Sequence, residues 1–555
     1  MSGDLFLFGR PELRDPACGD PHEDFDGPHS SGTAVMTILQ LVELHLAIFS
    51  GVAAATLAIL VGRGACSRFP ARLFRFSNSF KMHTSPRMIP ASSAAARLFP
   101  GRTRPMADFL NAAGSTWKRT ACVALLLGGG ALAGAEARAE SAWPSFQNGG
   151  AVSLSADLPT KWDAATSVAW HQDLVGYGQS SPVVWKGQVY ITSVSGANKE
   201  TYHVVAYSLK EGTKLWQYDV ANPSPQESTS YVSKAAPTPV ADDKGLVCFF
   251  EGGIVAGLTH GGEKRWERNL VTEFGAIDSR HGVSASVEQN ADLAFLWVER
   301  TTEPYVLAVN KSTGETAWKV AGIGKTSWAS PRLVPVAEGE SHLVLSAIGF
   351  LVGLDPKTGE RLWTFDQIAG NSTPTPVPAG NGKFLIGATT GQGESGGGNP
   401  PDSNGMVAIG RDANGQWAAQ WIWHAKRATS SFGSPILAEG NAYFVNRSGV
   451  LYCLDQETGE EHYAQRAGES VWATPLATKG HVLLFGKGGT VSAVATGKTF
   501  EKLGESIAWE GAGAAPAEGR GGPPGASGPV LYGAAFVDGS LLLRRGDQLI
   551  CVRTK

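Results

Sequence analysis

The sequence predicts an all-β fold: an eight-bladed β-propeller of four-stranded antiparallel blades, its ring closed by pairing of the N- and C-terminal strands. Three observations predict it. A unit of short strands recurs along residues 140–555, the chain is rich in glycine and tryptophan (69 and 16 of 555 residues), and the two ends of the repeat region are incomplete in complementary ways.

The unit opens with Ser/Ala-Ser/Thr-Pro and an apolar strand. An alternating strand ending in Asp or a substitute follows, then a Thr-Gly turn and a strand carrying Trp. The clearest copies run from Val352 to Trp363, through Asp355, Thr358 and Gly359, and from Leu307 to Trp318, through Asn310, Thr313 and Gly314. Weaker copies are Val205 to Trp216, with Glu211-Gly212, and Val255 to Trp266, with Gly261-Gly262; Cys453 to Tyr463 puts Tyr in place of Trp. Glycine supplies the positive φ of a tight hairpin, and Asp or Asn before it bonds its own turn. A recurring Trp on the outer strand buries a large flat surface against the neighbouring blade.

First-strand marks count the blades. They are Ser181-Pro182, Ala236-Pro237, Ser284-Ala285, Ser330-Pro331, Thr373-Pro374, Ser434-Pro435, Thr474-Pro475 and Ala534-Ala535. Pro331 and Pro374, like Pro435 and Pro475, stand about 40 positions apart, the length of a four-stranded blade. Longer gaps coincide with the Gly-rich stretches 391–405 and 511–528. Ile550-Cys551-Val552 reads as a third strand after which the chain stops without its Trp strand, and Val168-Ala169-Trp170-His171 is a Trp strand with nothing before it. Joined, they complete one blade and remove two open sheet edges.

A formal net charge of -3, with no basic stripe broken by aromatics, offers no electrostatic case for nucleic acid. Of the six cysteines, no two lie close enough for a C-x-x-C zinc or redox site. Cys248, Cys453 and Cys551 sit inside apolar strand runs and read as buried thiols.

The N-terminal region reads differently. Residues 106–139 have the form of a signal peptide: Lys118-Arg119, an apolar run from Ala121 to Gly134, and cleavage candidates Ala135-Glu136-Ala137 and Ala137-Arg138-Ala139. A start at Met106 makes residues 1–105 an upstream extension, untranslated or disordered, and its Arg-, Ser-, Ala- and Pro-rich part from Arg63 to Pro105 shows no strand or helix pattern. The competing reading uses Leu46 to Gly62 as a membrane anchor. Residues 140–555 form the propeller, read as a monomer without a membrane span, periplasmic or secreted.

Trp143-Pro144-Ser145-Phe146, Ser180-Ser181-Pro182-Val183-Val184-Trp185, Leu451-Tyr452-Cys453-Leu454-Asp455 and the Asp-x-x-Thr-Gly-x-x-x-Trp repeat resemble the pyrroloquinoline-quinone-like (PQQ-like) β-propeller repeat proteins. The resemblance spans the chain after the signal peptide and implies the same fold. That superfamily includes PQQ-dependent alcohol dehydrogenases, the propeller lipoprotein of the outer-membrane β-barrel assembly machine, and exported proteins without assigned roles. The dehydrogenases carry adjacent cysteines in a disulfide over the cofactor, a calcium held by carboxylate and amide, and a catalytic Asp; this sequence has no Cys-Cys pair and no long catalytic insertions.

The function expected is therefore a non-catalytic binding or scaffolding module for a protein or small-molecule ligand, with no cofactor. The alternatives are a PQQ-dependent dehydrogenase with calcium, or a carbohydrate- or peptide-processing enzyme using the axial funnel. Residues just before each first-strand mark should rim that funnel: Tyr177, Tyr231, Arg280, His281, Trp328, Asn371, Phe432 and Trp472. The set is aromatic with one cationic pair, a stacking platform more than an acid–base machine. His171, His260, His424 and His481 are scattered without metal-ligand spacing, so neither a metal site nor a catalytic set is expected. Gly391-Gln392-Gly393-Glu394-Ser395-Gly396 lies between propeller strands and not at a strand-to-helix turn, which excludes a nucleotide loop. Intact mass of the exported protein should correspond to a start just after Ala137 or Ala139; a start far upstream of Ala135 overturns the signal-peptide reading.

Overall fold

The computed structural model describes residues 142–553, apart from 156, 230, 231, 280, 325, 326, 338, 390–399, 431 and 513–529. The candidate signal peptide, the candidate upstream extension, the candidate anchor and most of both Gly-rich stretches lie outside the described residues. Among the described residues no helix is long and apolar enough to cross a membrane.

Eight sheets form, each of four antiparallel strands in chain order except the closing blade, whose outer strand comes from the start of the described chain; one sheet has an added fifth strand. We number the blades from the N-terminus by their first strands, which are Val183–Trp185, Val240–Asp242, Glu288–Gln289, Arg332–Ala337, Val377–Gly380, Ile436–Ala438, Leu476–Thr478 and Leu531–Val537. In blade 1 Val183 faces Tyr190, Tyr190 faces Ala206, and Ala206 faces Trp216. The second and third strands are buried nearly throughout, while the outer strand Lys214–Ala221 is half exposed. That gradient matches the sequence pattern, wholly apolar inside and alternating outside. Blade 8 closes the ring as the chain ends predict: Val168–Asp173 pairs antiparallel with Gln548–Arg553, placing Trp170 opposite Cys551.

The repeat's Trp and its Thr-Gly turn meet across blade boundaries. Trp318 of blade 3 donates its indole N–H to the Pro356 carbonyl in the turn of blade 4 at 3.0 Å. Its ring lies on Gly359, where φ is +77° and a Cβ would come within 2.7 Å of the indole. Trp170, Trp216, Trp266 and Trp423 make the same joint with Leu209, His260, Lys311 and Gln456. A one-residue bulge before the tryptophan recurs: Val309 faces Thr316 and Ala308 faces Trp318, so Ala317 is the extra residue. Three blades depart from this, and the outer strand of blade 7, Lys502–Ile507, carries no Trp. Trp363 bonds His342 of its own blade, because blade 5 enters its outer strand through a different turn around Asp412 and Gly415. Tyr463 replaces Trp in blade 6 and packs edge-on against Phe500.

A second chain of contacts runs around the axis, where the hydroxyl at the start of one first strand accepts from the backbone N–H of the equivalent residue in the preceding blade. The links are Ser181 to Thr238, Thr238 to Ser286, Ser286 to Ser330, Ser330 to Thr375, Thr375 to Ser434 and Ser434 to Thr474, at 2.9–3.1 Å. These contacts correct the marks in three blades. Thr238, Ser286 and Thr375 are the equivalent positions, two residues beyond Ala236, Ser284 and Thr373. In blades 2 and 5 the segments Pro237-Thr238-Pro239 and Pro374-Thr375-Pro376 offer two registers, and the hydroxyl selects the later one.

Cys248, Cys453 and Cys551 are buried free thiols. Burial pushes the Cys248 thiol up to about 12 and those of Cys453 and Cys551 up to about 11, which keeps them protonated and inert. Trp318→Ala should cost about 3–5 kcal/mol through the lost contact surface. Gly359→Ala should cost about 1–2 kcal/mol from the left-handed backbone alone. Urea midpoints check both, and an unchanged midpoint in either variant would show that the joint does not hold the ring.

Candidate functional site

The lip of the axial funnel is built from residues preceding the first strands. Two residues before the hydroxyl position stand Trp328, Phe432 and Trp472, and two before Ala534 stands Tyr532. Phe432 and Trp472 approach to 4.8 Å between ring centroids, and Trp472 and Tyr532 to 6.1 Å. Tyr532 meets Tyr177 edge-on at 6.1 Å, the two phenols sharing a hydrogen bond of 2.9 Å. Four rings thus form a continuous wall across blades 6, 7, 8 and 1. Tyr532 was missing from the sequence-based set, although the spacing that marks Phe432 and Trp472 also points to it.

Tyr177 is fixed from several sides. Its backbone pairs with Val194, and its ring lies on Gly546, where a Cβ would come within 2.1 Å. Burial first, then Tyr532, pushes its phenol far above the usual tyrosine range, so it stays a neutral hydrogen-bonding group. Beneath it Arg544, fully buried, donates to the carbonyls of Thr192 at 3.1 Å and Gly546 at 3.3 Å, joining blade 8 to blade 1. Burial pulls that guanidinium down to about 10.

Three cations stand over this wall. Lys234 is 5.7 Å from the Tyr177 centroid, Arg447 5.3 Å from that of Phe432, and Lys487 4.8 Å from that of Trp472. Arg447 and Lys487 come from turns between second and third strands, far in sequence from any first-strand mark.

The funnel has a floor, and the chain's own N-terminal segment makes it. Trp143 pairs with Val184 of blade 1, and the Pro144 carbonyl accepts from Ala241 of blade 2. Ser153–Leu154 then adds a parallel strand to blade 7 at Ala477 and Thr478. Between them Gln147, buried, donates to Ser434 at 3.0 Å and Thr474 at 2.6 Å while accepting from Arg332 at 3.1 Å. Arg332 in turn is paired at 3.1 Å with Glu288, both buried. Gln147 and Asn148 both hold positive φ, 55° and 51°. This costs about 1–2 kcal/mol per residue, and the Gln147 bonds offset it. Phe146, Gln147, Phe432, Trp472, Thr474 and Tyr532 are among the residues enclosing the open cavity between floor and wall.

Other expected lip residues are placed differently. His281 and Trp328 form a separate pair, 5.8 Å apart, at the entries to blades 3 and 4. Asn371 is fully buried, with its amide bonding Ser346, Ala347 and Gly349, so it braces blade 4 and does not face the funnel. The equivalence of Thr375 with Ser434 makes Thr373 the lip position of blade 5. Tyr231 and Arg280 lie outside the described residues.

Two constellations were not visible in the sequence. Ser195 and His203 Nε2 are 2.8 Å apart, and His203 Nδ1 lies 2.6 Å from Asp219. The distances match a Ser-His-Asp relay, but Asp219 is 51% exposed, whereas acyl transfer uses a buried orienting carboxylate. It is a polar rung across three strands of blade 1. Glu299, buried below His281 and Trp328, accepts from Ser279 at 3.2 Å. Burial pushes its carboxyl up to about 7, with bonds from Ser327 and Ser279 opposing.

The resemblance raises a calcium-held quinone as an alternative, with calcium held by carboxylate and amide and a disulfide of adjacent cysteines over the cofactor. Among the described residues no group of three His, Cys, Asp or Glu could hold a metal ion, and the three described cysteines are free.

A family model described as outer membrane protein assembly factor BamB matches residues 134–291, 277–396 and 404–541. No curated protein sequence matches the chain. Among solved structures, BamB from Moraxella catarrhalis is 13% identical, covering 70% of this chain and 99% of its own, with a TM-score of 0.47. The quinohemoprotein alcohol dehydrogenase from Comamonas testosteroni is 14% identical, covering 74% and 80%, with a TM-score of 0.47. A europium-containing methanol dehydrogenase is 12% identical, covering 73% and 89%, with a TM-score of 0.45.

The raised Glu299 carboxyl has a consequence for stability. Its folded value of about 7 lies above the ordinary 4.5, so the native state holds the proton longer. Stability from this site is full below about pH 4.5 and is lost as pH rises to 7, by ~3 kcal/mol at most. Glu299→Gln should abolish that loss while keeping the Ser279 bond, as read from urea unfolding at pH 4.5 and pH 8. Parallel pH profiles for the two proteins would show that Glu299 ionises normally.

Proposed function

From the premise that the chain belongs to the family described as outer membrane protein assembly factor BamB, we propose that it is an exported, non-catalytic propeller that binds a partner at its axial funnel, in the periplasm or outside the cell. The observation that carries this reading is the continuous wall of Phe432, Trp472, Tyr532 and Tyr177 above a floor made by residues 143–154. Aromatic side chains supply large, rigid contact area at little entropic cost, the composition of binding hot spots. Fixed ring positions also avoid an ordering penalty on binding.

Catalysis needs a nucleophile, acid or base converging on one reacting atom. The wall offers phenol hydroxyls, indole and phenyl faces, and cations. The family description names an assembly factor, which favours a protein partner over a small metabolite. A role without cofactor is supported by the same lining, whose residues include no carboxylate to hold calcium.

Two measurements test this reading. A photo-crosslinking residue at Phe432 in the full chain should capture a discrete partner in cells, whereas one at exposed Leu215 on the outer strand of blade 1 should not. Absence of any adduct from Phe432, Trp472 and Tyr532 alike would remove the funnel from function. Titration with PQQ and calcium should give no dye-linked alcohol oxidation; turnover would overturn the non-catalytic reading.

A further inference from the structure

The cations above the wall carry the reading one step further, to the chemistry of what the funnel takes. Lys234, Arg447 and Lys487 each stand over a ring of the wall. Yet none of the three has a carboxylate within 4.0 Å among the described residues, although thirteen other Lys or Arg side chains do. The neighbouring acids are committed elsewhere. Glu469 turns into the backbone of its own blade, accepting from Gly488 and Thr490 at 3.1 Å, and Asp547 is held by Arg545. A chain with a formal net charge of -3 thus carries a local cationic rim on one arc of its funnel.

Resting on the binding role proposed above, we infer that the funnel takes an extended acidic segment of a partner protein, inserting an aromatic side chain between floor and wall with its carboxylates against Lys234, Arg447 and Lys487. The aromatic part is matched by the ring faces of Trp472 and Phe432, which favour offset or edge-on contacts. The acidic part is matched by three cations already drained of competing carboxylates. Their seats over aromatic faces hold the charges at fixed positions without neutralising them. The floor limits depth: Gln147 and Thr474 close the cavity, so one side chain enters while the flanking backbone crosses the lip.

The test uses the full chain and three fluorescein-labelled, capped peptides read by anisotropy: Glu-Asp-Phe-Glu-Asp, its amide counterpart Gln-Asn-Phe-Gln-Asn, and Glu-Asp-Ala-Glu-Asp. The first should bind about tenfold tighter than either other peptide, as two or three screened ion pairs or one buried ring supply. That preference should shrink as salt rises from 50 to 300 mM. Arg447→Glu combined with Lys487→Glu should abolish the preference for the acidic peptide with an unchanged melting temperature, and Trp472→Ala should weaken both phenylalanine peptides. Equal binding of the amide peptide would overturn the acidic class while leaving the funnel as a binding site. Failure of every peptide, with Trp472→Ala also without effect on crosslinking, would overturn the funnel reading itself. Competition by citrate at the peptide's own concentration, or stronger retention on anionic phospholipid vesicles lost in the double variant, would overturn the protein segment as occupant.

Discussion

Hydroxyl groups around the axis hold this ring at its working radius. Six times in succession a Ser or Thr side chain accepts from the backbone of the preceding blade, from Thr238 to Thr474. Each bond is worth about 1 kcal/mol net, but each also fixes where a first strand begins. The residue two positions earlier is thereby set at the funnel's lip. The chain of hydroxyls is interrupted at blade 8, where Gly533 and Ala534 offer none; a Cβ on Gly533 would come within 2.3 Å of the Ser181 hydroxyl. The gap coincides with the aromatic wall. Gln147 caps the last two hydroxyls before it, and Tyr177 and Tyr532 bond to each other across it.

The outer circumference is held by a different device. There the tryptophan of one blade lies on the turn glycine of the next, donating to a turn carbonyl. The joint works like a hinge pin: it fixes the angle between blades while leaving the outer strand exposed. Because the indole needs a bare backbone on which to lie, the Trp of one copy and the turn Gly of the next are required together wherever this joint forms. Where blade 5 changes its turn, Trp363 takes a partner inside its own blade, and Trp421 reaches back to the Gln367 carbonyl.

The proposed binding arc lies where neither of these devices operates. The wall's rings pack on one another across blades 6, 7, 8 and 1 but take no part in the outer joint, and the cations over them form no ion pair among the described residues. Elsewhere the molecule spends its charges on itself: Lys199 with Glu251 and Arg332 with Glu288 are buried pairs locking adjacent segments. Such pairs give register more than stability. Cations inside the ring are paired with acids, whereas among the described residues those over the wall are not.

Periodicity along the chain was enough to determine the propeller, its eight blades, its closure by the two ends, and three of the four wall residues. Strand alternation, the turn glycine and the recurring Trp are local properties, and each copy confirms the others. The same locality explains the failures. Pro237-Thr238-Pro239 and Pro374-Thr375-Pro376 each carry two equally good marks, and only a bond from another blade chooses between them; this is why Asn371 was placed at the lip. The floor, the cations over the wall and the pairing of Tyr177 with Tyr532 were decided by the tertiary structure alone. These contacts join residues as much as 355 positions apart, brought together when the ring closes. A sequence read by its neighbours along one strand holds no measure of what meets across the axis.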